Sequence, residues 1–184
     1  MALKPTIYKF SISLSDMNRH LYQTLNLTVA QHPSENIERM MIRVLVYCLN
    51  IEADQNTKLE FTKGLSAVDE PDLWAKTLDD QLMLWIDLGE PSLERIKKAS
   101  RLARVAKVYT FNSKSDVWWS QNQAKLQALK VDIIQFDWSE VQNLAKLAQR
   151  NMAFSISLSG DSAYIAAELG DCELHWSRLQ EQNT

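Results

Sequence analysis

Alternation of apolar and polar residues dominates both ends of the chain. From Thr6 to Leu14 the even positions Tyr8, Phe10, Ile12 and Leu14 are apolar, with Lys9, Ser11 and Ser13 between them. This is the two-residue period of a half-buried strand. After a polar connection at 15–19, Leu21, Leu25, Leu27 and Val29 alternate with Tyr22, Thr24, Asn26 and Thr28, so the two segments predict a hairpin. At the other end Met152, Phe154, Ile156 and Leu158 point one way, Ser159-Gly160-Asp161 marks a turn and 164–169 returns. Gly170-Asp171 marks a second turn before Cys172, Leu174 and Trp176, which predicts a closing antiparallel meander.

Between these ends the period changes. Ile37, Met40, Met41, Val44, Leu45 and Cys48 fall at the three-and-four spacing of an amphipathic helix, with Ser34 as its expected N-cap after Pro33. Residues 58–65 predict a short strand ending at Gly64, and 83–88 a buried strand closed by Gly89 and Pro91. A helix is expected from Ser92, a strand over 105–111, a helix over 115–129, a strand over 131–136 and a helix over 139–148. Helices and strands that alternate between two antiparallel ends predict a mixed α+β fold with a mixed sheet. With 184 residues, no linker and no internal repeat, the chain reads as one domain over 1–184.

Composition narrows the function classes. A formal net charge of −3 gives no global attraction to a polyanion, so any nucleic-acid contact needs a local basic patch. Arg95, Lys97, Lys98, Arg101 and Arg104 are the candidates for one, although helical spacing spreads them around a helix. There is no apolar run of about 18 residues to span a bilayer, and the N-terminal Met1-Ala-Leu-Lys-Pro5 lacks the apolar core of a signal peptide. The expectation is a cytoplasmic protein with no membrane partner. Cys48 and Cys172 stand far apart without ligand spacing, and His20, His32 and His175 are isolated, which argues against disulfides and zinc. No phosphate-binding glycine loop and no serine or cysteine nucleophile motif occurs.

The densest acidic cluster is Asp69-Glu70-Pro71-Asp72, followed by Asp87 in Trp85-Ile-Asp-Leu-Gly89. If 72–76 and 83–87 form a hairpin around Asp79-Asp80, Asp72 lies opposite Asp87 and Trp74 opposite Trp85. Directly opposed side chains have Cβ atoms about 4.5–5.5 Å apart, close enough for two carboxylates to share one divalent cation such as Mg2+ or Mn2+. Such a cation polarises a phosphodiester and lowers the pKa of a water nucleophile. Lys97 and Lys98, in the helix after Asp87, are the cations placed to assist, and Glu38 is a candidate third acid beside the apolar stripe of the first helix. The rival reading makes 70–76 a short helix with Asp69 as N-cap and Pro71 in the first turn, which separates the two aspartates. Separately, Glu38 could belong to an exposed helix face with pairs such as Glu35 with Arg39, and Lys98 could answer Glu94 at i, i+4. Trp118-Trp119 is the remaining marked segment. Adjacent tryptophans on one helix are not expected to share a core, so one should border the surface, available to a base or to a protein partner.

Several rigid blocks stand out: Met1-Ala-Leu-Lys4, Ala30-Gln-His-Pro-Ser-Glu35, Glu38-Arg-Met-Met41, Asp69-Glu-Pro71, Leu84-Trp-Ile86, Arg95-Ile-Lys-Lys98 and Trp118-Trp119. In these blocks the sequence resembles the YaeQ family of bacterial proteins. The resemblance implies a variant PD-(D/E)XK core, that is, a restriction-endonuclease-like fold extended by antiparallel strands from both termini. It makes Pro71-Asp72 resemble the PD element, Asp87 the following acid and Glu38 the helix acid. Two residues beyond Asp87 the nuclease pattern has lysine where this chain has Gly89, so Lys97 or Lys98 would be a migrated equivalent. Two functions follow as expectations: a divalent-metal-dependent nuclease-like protein with Asp72 and Asp87 as metal ligands, Glu38 as auxiliary acid and Lys97 as the cation; or a non-catalytic module on the same fold that binds nucleic acid or a protein partner.

Overall fold

The computed structural model describes residues 3–53 and 56–182. The chain divides into two compact units. One comprises the described residues up to 53 together with 139–175; the other runs from 56 to 138 and from 176 onward.

In the first unit β1 (Thr6–Asp16) and β2 (Leu21–Gln31) form a fully regular antiparallel hairpin, from Thr6↔Gln31 to Asp16↔Leu21. β1 also pairs in parallel with β8 (Asn151–Ser159), β8 pairs antiparallel with β9 (Ser162–Ala167), and β9 with the first half of β10 (Gly170–Gln180). The alternation seen in sequence is the cause. Phe10, Ile12, Leu14, Phe154, Ile156, Leu158 and Ile165 turn to one buried face, and the intervening polar residues turn away.

Helix α1 (Ile37–Asn50) is more deeply covered than its amphipathic pattern predicts: every residue from Met40 to Val46 is buried. Its Arg43 is tolerated there because Glu35, itself 6% exposed, accepts Nε at 3.1 Å and Nη2 at 2.9 Å. The N-cap is Asn36 rather than Ser34. Asn36 Oδ1 accepts the Arg39 N–H at 2.9 Å, whereas Ser34 Oγ bonds His32 Nδ1. Both residue types cap well, and Asn36 is the one adjacent to the first helical residue.

The second unit has the strand order β10-β7-β6-β5-β4-β3. Strands β3 (Thr57–Phe61), β4 (Leu73–Thr77) and β5 (Leu82–Leu88) are antiparallel neighbours. β5, β6 (Val105–Thr110) and β7 (Asp132–Phe136) are parallel, and the second half of β10 closes antiparallel on β7. The connections between the parallel strands are α2 (Leu93–Leu102) and α3 (Ser115–Leu126), as a parallel sheet requires. α4 (Trp138–Ala145) follows β7. The mixed α+β class expected from sequence is the class observed.

Several boundaries differ from expectation: α4 ends at Ala145 rather than 148, and β9 runs over Ser162–Ala167 rather than 164–169. β3 stops at Phe61, and a 3-10 turn over Gly64–Ser66 takes the place of its predicted end, with Gly64 at φ +51°. Helix α3 stops at Leu126, three residues short, where the Leu129 N–H bonds the Leu126 carbonyl in a tight turn. The tryptophan pair also behaves differently. Trp118 and Trp119 both pack, half-buried, against one cluster containing Trp85, Ile96, Val108, Leu126 and Ile133. The two large rings straddle the edge of the core, and Trp118 Nε1 is satisfied by the Pro91 carbonyl at 3.2 Å.

Candidate acidic site

The hairpin on which the paired-carboxylate idea depends is present, and 73–77 is strand rather than helix. Leu73↔Ile86 and Trp74↔Trp85 stand opposite each other; Asp72 immediately precedes β4 and lies beside Asp87, close enough for its charge to act on it. Asp72 N–H donates to the Ile86 carbonyl at 2.9 Å, and its Oδ2 accepts the Leu88 N–H at 2.8 Å. Its Oδ1 lies 3.6 Å from where a Cβ on Gly64 would stand, an ordinary contact, so it is the φ of +51° rather than space that favours glycine in the preceding turn. Both aspartates are buried, Asp72 at 4% and Asp87 at 2% exposure.

Two buried acids side by side need compensating groups. For Asp87 they come from its own strand and from α2. Trp85 Nε1 donates to Oδ2 at 2.9 Å. Arg95 donates to Oδ1 through Nε at 3.0 Å and Nη2 at 2.8 Å. Burial raises the proton affinity of Asp87 above the usual carboxylate range; the bonds from Arg95 and Trp85 oppose that rise, and the nearby charge of Asp72 adds to it. The guanidinium is anchored elsewhere as well, with Nη1 on the Val68 carbonyl at 2.6 Å and Nη2 on the Glu70 carbonyl at 2.6 Å. Arg95 thus ties β5, α2 and the acidic segment 68–70 together. Ser92, the N-cap of α2, fixes where it starts by accepting the Arg95 N–H at 3.3 Å.

The other candidates lie elsewhere. Lys97 Nζ pairs with Glu94 at 3.0 Å, and Lys98 Nζ with Asp69 at 2.9 Å. Three of the five cations of the expected basic patch are therefore engaged with acids. Glu38 sits half-buried in the first turn of α1, in the first unit. Gly89 follows β5 at φ +90° with its N–H on the Tyr109 carbonyl. That backbone conformation is one L side chains rarely adopt, which is a physical reason for glycine where the nuclease pattern has lysine.

As placed, these groups do not fit a divalent cation. The Asp87 oxygens are occupied by a guanidinium and an indole, one Asp72 oxygen by a backbone amide, and no group of three His, Cys, Asp or Glu among the described residues could hold a metal ion. The group that sequence reasoning missed is Arg95, which it counted only as part of a basic patch. Its position eight residues after Asp87, one turn into a helix that starts at Ser92, is the signal that could have found it.

A family model for the YaeQ protein matches residues 1–176 of this chain. The chain belongs to the YaeQ family. The YaeQ protein of Escherichia coli (strain K12) is 34% identical over 183 residues, covering 98% of this chain and 99% of that one; the Salmonella typhi protein matches at the same identity and coverage. Crystal structures of YaeQ proteins agree in fold. The one from Xanthomonas axonopodis pv. citri has a TM-score of 0.90 at 34% identity and covers 96% of this chain and 99% of its own. The one from Pseudomonas syringae has a TM-score of 0.88 at 32% identity, with 97% of each covered. Membership of the YaeQ family thus spans nearly the whole chain, both units included. No helix among its described residues is long and apolar enough to cross a membrane.

Proposed function

We propose that this YaeQ chain is a non-catalytic binding protein on a degenerate restriction-endonuclease-like core, acting on a protein partner. The observation that carries the reading is Arg95. A fixed cation bound twice to Asp87 and once each to the Val68 and Glu70 carbonyls takes the role that a divalent ion would otherwise have beside the two acids. A protein partner is favoured over nucleic acid because the net charge is −3 and Arg95, Lys97 and Lys98 all answer carboxylates.

One observation favours a second reading. Asp72 and Asp87 are neighbouring buried carboxylates, so a nuclease-like protein with Mg2+ or Mn2+ on these two residues is the competing proposal. It requires Arg95 to leave Asp87. Thermal melting in chelator, in magnesium and in manganese separates the two. The first reading expects superimposable melts and no cleavage of DNA or RNA. A metal-dependent rise in Tm that disappears in an Asp72→Ala, Asp87→Ala double variant, together with cleavage, overturns it.

A further inference from the structure

Strand β2 ends the sheet of the first unit. Its outer edge can be read residue by residue. Lys9 N–H donates to the Arg150 carbonyl at 2.7 Å, on the β8 side. The odd residues of β1 therefore turn their backbone groups to β8 and the even ones to β2. Through the register in which Lys9 meets Thr28, the odd residues of β2 bond β1, and Tyr22, Thr24, Asn26, Thr28 and Ala30 direct their N–H and C=O groups away from the sheet. Of these, the Ala30 carbonyl accepts Arg43 Nη2 at 2.8 Å. No hydrogen bond within the described residues reaches the other four on that side.

This edge lacks the devices that normally protect one. It is eleven residues long, pairs with β1 without a bulge, and contains no proline and no ionisable residue other than Tyr22. Native sheets shield such edges with charge, proline, bulges or short strands. An unshielded one is suited to pairing with another strand.

We infer that β2 pairs antiparallel with β2 of a second copy of this chain, about a two-fold axis through Asn26. That register matches 21 with 31, so it is the one that pairs the strand along its full length. It joins Thr24 to the partner's Thr28 and Asn26 to its own mate on the exposed face, and Leu25 to the partner's Leu27 on the other. No like charges meet, which a strand carrying lysine or glutamate could not achieve with itself.

Sedimentation equilibrium of the full chain across the micromolar range tests this. The wild type should show a monomer–dimer equilibrium. Asn26→Lys and Asn26→Glu each place two like charges together at the axis and should weaken association about tenfold or more. An equimolar mixture of the two should recover it, because lysine then meets glutamate. Asn26 is exposed, so at concentrations where every chain is monomeric both variants should melt with the wild type, and Thr24→Pro, which removes an outward N–H, gives a second way to block the edge. In hydrogen exchange the amides of Tyr22, Thr24, Asn26 and Thr28 should be protected in the wild-type dimer and not in Asn26→Lys. A wild type that stays monomeric, variants that associate as tightly as it does, or a mixture that fails to recover association overturns the inference.

Discussion

Replacing Arg95 by alanine is the perturbation that most directly weighs the acidic site. It removes two hydrogen bonds to Asp87 and one each to the Val68 and Glu70 carbonyls, and it leaves Asp87, 2% exposed, with the Trp85 indole as its remaining side-chain donor. Breaking a buried ion pair from one side costs about 3–5 kcal/mol because an uncompensated charge stays behind. The Arg95 side chain is 27% exposed, which brings the expectation to the lower end, about 3 kcal/mol. For a chain of this length that is a fall in Tm of roughly 6–12 °C. Urea titration followed by tryptophan fluorescence should show the midpoint falling at nearly constant slope. The pH dependence carries a definite sign. Without Arg95 the Asp87 carboxyl, already raised by burial, rises further, so the penalty of the variant is full above that pKa and shrinks as the pH falls through it and the carboxyl takes up a proton. Arg95→Lys should recover only part of the loss, since one ammonium cannot make the same set of bonds. A loss below about 1 kcal/mol at neutral pH, or one that grows on acidification, would refute the view that Arg95 is what neutralises Asp87.

Further outcomes follow from neighbouring geometry. Gly89→Ala and Gly89→Lys should each cost about 1–3 kcal/mol by chemical denaturation, because φ +90° is unfavourable for any side chain even though the nearest atom to a new Cβ is 3.8 Å away. The lysine variant should acquire no nuclease activity in a plasmid-nicking assay. Asn36→Ala should destabilise by about 1 kcal/mol and Ser34→Ala by less than about 0.5 kcal/mol, measured as urea midpoints, which checks the reassigned cap of α1. Burial pushes the Cys48 thiol up to about 12, so at pH 8 roughly one molecule in ten thousand carries the thiolate there. A disulfide reagent at that pH should leave Cys48 unmodified until urea unfolds the chain, and should modify Cys172, half-buried and raised to about 11, only slowly.

Much of the fold was legible because burial imposes a period. The two-residue alternation of 6–14 and 152–158 survives as β1 and β8 since each has one buried face, and a one-residue slip would turn Phe10 and Phe154 to solvent. The opposition of Trp74 and Trp85 was legible too, because counting outward from Asp79-Asp80 gives the register that β4 and β5 adopt beyond a shift at Ala75/Lys76. What was not legible depends on three-dimensional neighbours. No local pattern distinguishes Ser34 from Asn36 as a cap, or announces that α1 is covered around most of its circumference and that Arg43 is held inside by Glu35. Nor does spacing say that the cation nearest Asp87 is Arg95. Lys97 and Lys98 look equivalent to it along the sequence, yet helix geometry turns them to Glu94 and Asp69 while Arg95 turns inward.

The same geometry makes metal occupancy and the conformation of the acidic segment inseparable. A divalent ion between Asp72 and Asp87 must compete with a cation already attached to the chain, and to displace it must break the two bonds to Asp87. The guanidinium also holds the Val68 and Glu70 carbonyls, and Lys98 holds Asp69 beside them. Displacement of Arg95 by metal would therefore loosen residues 68–70, and anything that immobilises those residues would oppose metal by the same free energy. An Arg95→Ala chain separates the two effects. If metal binds it, detected as manganese-dependent stabilisation absent from the wild type, the acids are competent and Arg95 is what excludes the ion. If metal still leaves its Tm unchanged, the pair itself lacks the third ligand that a hard cation needs.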